Sequence, residues 1–287
     1  LQPAVNSLAQ YREVVGGAVD ILIGRNLSEV GTVEFKELKR AQRGDYEEVA
    51  GLLQNPARHE AIPVIVLHPK QAKNRTVIWV DEAGKAGLFD GEKPSGEIAK
   101  LLQAGTTVIG VDLMMQGEFL ADGKPVTRTR RVKNPREFAG YTFEYNHALF
   151  AQRVHDILTV VKYARTREKD AHLALAGLGG AGPWVVAAVA QARDAVNSAA
   201  FDTGGFRFGK ILDLHDVNFL PGGAKYRDLP GLIALCAPVR LWLAGEGAAA
   251  PEVAQAIYAQ ADAAANLSTF NGDRSQARAA ALDWLLK

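Results

Sequence analysis

From Val77 onward, short apolar runs alternate with stretches of helical periodicity, and this alternation leaves the chain few architectures. Val77-Ile-Trp-Val80 is a continuous apolar run, the pattern of a strand covered on both faces. Ser95 is placed to cap a helix over 96–103, Gly105 to stop it, and 107–111 reads as the next buried strand. Strand, helix and strand in this order predict a βαβ unit. A long loop, 116–145, leads to a helix near 147–166 with Phe150, Val154, Ile157, Leu158 and Val161 facing one way. The alternation continues with strand 173–176, helix 183–196, strand 198–201, an irregular stretch, strand 239–244, helix 251–264, strand 267–270 and helix 274–286. Repeated βα units joined by right-handed crossovers give a mostly parallel sheet with helices on both faces.

Ahead of these units, 33–41, 46–53 and 62–67 read as extended runs separated by Arg43-Gly44-Asp45 and Asn55-Pro56, an antiparallel meander. Residues 6–22 read as an opening helix with Asn6 or Ser7 as its cap. With 33 basic and 32 acidic side chains, charge favours neither nucleic acid nor an anionic membrane as partner. The basic run 128–133 contains no aromatic residue and reads as a solvated loop. No apolar stretch approaches a membrane span. Cys236, the single cysteine, lies in an apolar run and reads as a buried, inert thiol. The chain starts Leu1-Gln2-Pro3 rather than with a methionine and leader, so we expect a piece of something longer.

The sharpest local feature is the apolar strand 173–176 running through Gly177-Leu-Gly179-Gly180-Ala-Gly182 into a helix at Pro183-Trp184. That is the context of a nucleophile elbow, G-x-S-x-G, but its central position falls on Gly179. No serine, cysteine, threonine or aspartate lies between His172 and Asp194, so no shift of register within the turn supplies a nucleophile. Gly177, Gly179 and Gly182 also match a dinucleotide loop, G-x-G-x-x-G, with Asp202 about 20 residues further on. A plain structural turn is the third reading.

In an elbow fold an acid follows a late strand and a histidine the last one. The acid can be Asp202 or Glu246. The position after 267–270 is Asn271, and of the six histidines (His59, His68, His147, His155, His172 and His215) none follows His215. No pair of them has a zinc-protease spacing, so each reads as a packing or capping residue. His215-Asp216, in a loop after the sixth sheet strand, is a pocket candidate. An asparagine cannot take up a proton, and in subtilisin loss of either the serine or the histidine costs about a million-fold in turnover.

Taken together, these residues resemble the acetyl xylan esterase-like branch of the α/β-hydrolases, bacterial carbohydrate esterases. The carrying segments are Gly110-Val-Asp-Leu-Met-Met-Gln116-Gly117-Glu118, Tyr145-Asn-His-Ala-Leu-Phe-Ala-Gln-Arg153-Val-His155-Asp156-Ile-Leu, the turn at Gly177 to Gly182, and Asn218-Phe-Leu-Pro-Gly222. The likeness extends from about residue 46 to the end. It implies an α/β-hydrolase fold: a mostly parallel eight-stranded sheet with helices on both faces and an antiparallel N-terminal lead-in. It also implies an oxyanion pocket of backbone amides near 81–87, and Arg153 and Asp156 on the helix before the elbow, where an exposed pair three apart can simply bond to each other. The pocket candidates are Asp81, Glu82, Asp112, Glu118, Gly180 and His215.

The expectation is one domain over 1–287, with a helical extension over 1–30, from a longer bacterial protein that is exported. Without the serine and histidine it acts as a structural or binding domain, needing no cofactor or metal. Its partners are a catalytic domain of the same polypeptide and a carbohydrate or small ester. The alternatives are a hydrolase using Asp112, Glu118, Asp202, His215 or Glu246, and a dinucleotide-binding protein.

Overall fold

The structure, a computed structural model, describes residues 7–131, 133–134 and 138–287. Asn6, one of the two expected caps, and Val132, within the basic run, lie outside them. Ser7 caps the first helix by accepting the Gln10 N–H at 3.1 Å. This helix, α1, is α over Leu8–Tyr11, π over Arg12–Gly16 and α again over Gly17–Ile23. It buries Tyr11, Val15, Val19 and Ile23 in the larger of two cores.

Strands β1 (Glu34–Arg43), β2 (Tyr46–Asn55) and β3 (Glu60–Pro69) form the antiparallel meander. Then come β4 (Arg75–Val80), α2 (Gly96–Gln103) and β5 (Thr107–Val111). β4 and β5 pair in parallel with Val77 opposite Val108, completing the βαβ unit. The remaining elements are α3 (Ala139–Phe143), α4 (Leu149–Arg167), β6 (His172–Gly177), α5 (Gly182–Ala192), β7 (Ser198–Asp202), α6 (Asp228–Leu235), β8 (Arg240–Ala244), α7 (Glu252–Gln260), β9 (Leu267–Phe270) and α8 (Ala277–Leu285).

These strands form one sheet in the order β1-β2-β3-β5-β4-β6-β7-β8-β9, parallel from β5 to β9. Among the described residues it has nine strands rather than the expected eight. Eight is the number that the resemblance implies, whereas the extended runs read from the residues already number nine, 33–41 among them; that run is β1, which follows β2 from Glu34 opposite Gln54 to Arg43 opposite Tyr46 on the antiparallel edge. Alternate side chains of β4 serve two cores: Ile78 and Val80 join the side covered by α1 and α4 to α7, while Val77 and Trp79 join the side covered by α2 and α8.

Two short helices lie where the sequence predicts irregular chain. α3 falls inside the expected loop 116–145. In α6, Pro230 and Gly231 interrupt the helical pattern, but Pro230 sits in the first turn, where its missing N–H breaks no intrahelical bond. Burial of Leu229, Leu232 and Ile233 then stabilises the helix. Cys236 is buried as expected, and burial pushes its thiol well above the ordinary range. No helix among the described residues is long and apolar enough to cross a membrane.

Candidate functional site

Parallel α/β sheets place their sites at the carboxyl ends of the strands, where the loops after β4 to β9 converge. β6 is apolar on both faces, runs through Leu178 into a single 3-10 turn at Gly179–Ala181, and feeds straight into α5. Gly179 has φ +65°, a left-handed conformation that favours glycine. A Cβ built there would have open space, its nearest neighbour being a Glu82 carboxylate oxygen at 3.7 Å. The exposed Glu82 therefore hangs over the turn, and a Cβ on Gly180 would run into it.

The same turn bears on the dinucleotide reading. Gly182 starts α5 so close to β7 that a Cβ would overlap the Asp202 carbonyl oxygen, and one on Gly177 would overlap Val185. These glycines serve strand–helix packing, and the Glu82 carboxylate beside the turn opposes a phosphate.

The loops after β4 and β5 bind to one another. Asp81 accepts the Ala83 N–H at 3.0 Å and pairs with Arg278 at 2.6 Å. Buried Asp112 accepts the Lys85 N–H at 2.8 Å and the Glu118 N–H at 3.0 Å, and Lys85 pairs with both Asp112 and Glu118. The Gln116 amide donates to the carbonyls of Asp81 and Glu82. The amides of Ala83, Gly84 and Lys85, in the stretch where the resemblance places an oxyanion pocket, thus donate within the protein, Gly84 to the Asp81 carbonyl.

Arg153 and Asp156 lie on α4, before β6, but they are buried rather than the exposed pair that the sequence alone allows. Both grip one residue in the loop after β5: Arg153 Nε donates to the Met114 carbonyl at 3.1 Å, and Asp156 accepts the Met114 N–H at 2.6 Å. Burial raises the Asp156 carboxyl to about 7. The Arg153 guanidinium stacks over Trp184 at 4.3 Å, and the indole N–H is held by Asn218 at 2.7 Å.

Both candidate acids are engaged. Asp202, at the end of β7, accepts the Gly204 N–H at 2.8 Å and lies 3.5 Å from Arg274 Nε. Glu246, after β8, forms a two-pronged pair with Arg207 (2.9 and 2.5 Å) and accepts the Thr203 hydroxyl at 2.6 Å. Its side chain is only 2% exposed. Asn271 follows β9 as expected and lines a cavity of about 290 Å³ with Asp202, Gly204, Gly245, Phe270 and Arg274. His215 is not among the residues lining this cavity. It is buried in its own loop, where its N–H donates to Asp213 and its carbonyl accepts the Thr129 N–H.

The spacing of the sequence missed the cations. Lys85, Arg207, Arg274 and Arg278 are each drawn to an acid from another part of the chain. The one available signal was Arg274 and Arg278, four apart in the helix that the sequence predicts over 274–286 and so on one side of it. Among the described residues no three of His, Cys, Asp and Glu converge as metal ligands.

No family model matches the chain, and no curated protein is similar to it in sequence. Solved structures are similar in fold. A Bacteroides fragilis protein put forward as an acetyl xylan esterase is 14% identical at a TM-score of 0.65, with 93% of this chain and 76% of that one covered. A glucuronoyl esterase from Solibacter usitatus is 11% identical at 0.58, covering 91% and 86%. Acetyl xylan esterase 1 from a Thermoanaerobacterium species is 13% identical at 0.52, covering 95% and 91%. The chain has the α/β-hydrolase fold of these carbohydrate esterases.

Proposed function

We propose that this α/β-hydrolase-fold chain is a non-catalytic structural or binding domain of a carbohydrate-esterase protein, partnering a catalytic domain of the same polypeptide. The observation that carries this reading is Gly179. The turn after β6 keeps the left-handed backbone of an elbow, yet it presents no side-chain oxygen and faces a carboxylate. A negative charge beside the turn opposes the anion that ester hydrolysis would develop there. The other stations support the same reading. Asn271 cannot act as a base, both candidate acids are held by arginines, and the amides of Ala83 to Lys85 donate internally. Esterase activity in the structural neighbours is what points to a carbohydrate-esterase context.

The test is turnover of acetylated xylan and a nitrophenyl ester by the purified chain. The expected rate matches buffer and does not change in Gly179→Ala. Turnover well above buffer that scales with protein concentration and survives repurification would end this reading.

A further inference from the structure

The cavity at the ends of β7 to β9 carries a chemical liability in its rim. Asn271-Gly272 is the one Asn-Gly dipeptide in the sequence. Both residues are exposed, and they lie between the end of β9 and the short 3-10 turn Arg274–Gln276. Among the described residues, no hydrogen bond holds the Asn271 carboxamide or the Gly272 N–H. Glycine at 272 brings no Cβ to obstruct the approach of its own nitrogen to the carboxamide carbon before it. The neighbouring Phe270 ring stacks on Trp242 at 5.3 Å and lies where a Cβ on Gly272 would sit, so the dipeptide is presented on a packed base rather than folded inward.

From this arrangement we infer that Asn271 is a site of spontaneous deamidation. The Gly272 amide gives up its proton to solvent base, and its nitrogen attacks Asn271 Cγ. A carbon–nitrogen bond forms, and the side-chain nitrogen leaves as ammonia. Water then opens the resulting five-membered imide at one of its two carbonyls, giving aspartate or isoaspartate. The net change is one water consumed and one ammonia released, with no oxidant, metal or enzyme required. The product places a new carboxylate in the wall that already contains Asp202 and Arg274. A rim in which one acid balances one arginine becomes net negative and gains a second acid competing for Arg274. The inference is independent of whether the cleft hydrolyses esters.

The experiment holds the purified full chain, folded, at mildly alkaline pH and maps the peptide containing residue 271 by mass spectrometry over time. The expected result is a progressive exchange of NH2 for OH at that residue, resolved chromatographically into aspartate and isoaspartate, accelerating as pH rises. Gly272→Val, which must also push the Phe270 ring aside, should slow it by about an order of magnitude, because a branched side chain blocks the attacking nitrogen. Asn271→Gln, an exposed substitution compatible with folding, should abolish the isoaspartate signal. Asn271 remaining intact in the folded chain, while the same chain unfolded in urea converts, would overturn the inference. So would isoaspartate that persists in Asn271→Gln.

Discussion

Gly179 and Gly182 sit three residues apart in one turn and are glycine for different physical reasons. At Gly179 the backbone requires it: φ is +65°, but there is room for a side chain. At Gly182 the backbone is ordinary helix and the room is missing, because α5 meets the Asp202 carbonyl. Gly179→Ala should therefore cost about 1 kcal/mol, the strain of a left-handed alanine. Gly182→Ala should cost about 3 kcal/mol by forcing α5 off β7. Urea unfolding midpoints of the two variants measure the difference, and equal losses would contradict this assignment. The sequence exposed the glycine pattern but not this division of labour, which depends on where β7 ends.

At the scale of elements, the loops after β7 and β8 are joined by Arg207 and Glu246. The two-pronged geometry holds the guanidinium charged, above its ordinary range. Removing the cation leaves a nearly fully buried carboxylate with only the Thr203 hydroxyl for company. Arg207→Met should destabilise by about 3 kcal/mol, and adding Glu246→Gln should recover more than half of that. A double-mutant cycle from unfolding curves reads this directly, and additive losses would mean that the pair is not coupled. Both acids were visible in the sequence as candidate members of a triad. Their partners were not, because Arg207 lies far from Glu246 in the chain and no periodicity links them.

The whole molecule is closed on its larger face by α1, which docks on α4. His155 contributes the polar contact of that seam, with its Nε2–H donating to the Ile23 carbonyl at 2.7 Å, while His147 packs edge-on against it at 5.0 Å. Burial, with Arg25 next in effect, lowers the His155 imidazole to about 3. Its folded pKa lies below the unfolded value of about 6.5. The unfolded chain therefore binds the proton first, and stability falls as pH drops from about 6.5 towards 3. The expected loss across that window is a few kcal/mol, and His155→Gln should flatten it in urea titrations at successive pH values. An unchanged slope would show that other groups govern acid unfolding. Asp156 works in the opposite direction. Its raised carboxyl makes the folded state the better proton binder between about 4 and 7, so its contribution declines as pH rises through that window.

The sequence by itself determined the order of the strands and of the longer helices, the glycine at position 179 and the absence of any histidine after His215. Periodicity and residue identity are local, so they survive being read one residue at a time. It overlooked α6, where Pro230 and Gly231 hide a helix that only burial against the core stabilises. Tertiary structure alone decided that Glu82 hangs over the turn after β6, that Arg153 and Asp156 are buried on either side of Met114, and that Asp81, Asp112, Glu118, Asp202 and Glu246 each have a cation or an amide as partner. Burial and charge pairing between distant segments are properties of the closed sheet. They come into being only when the strand ends are brought together.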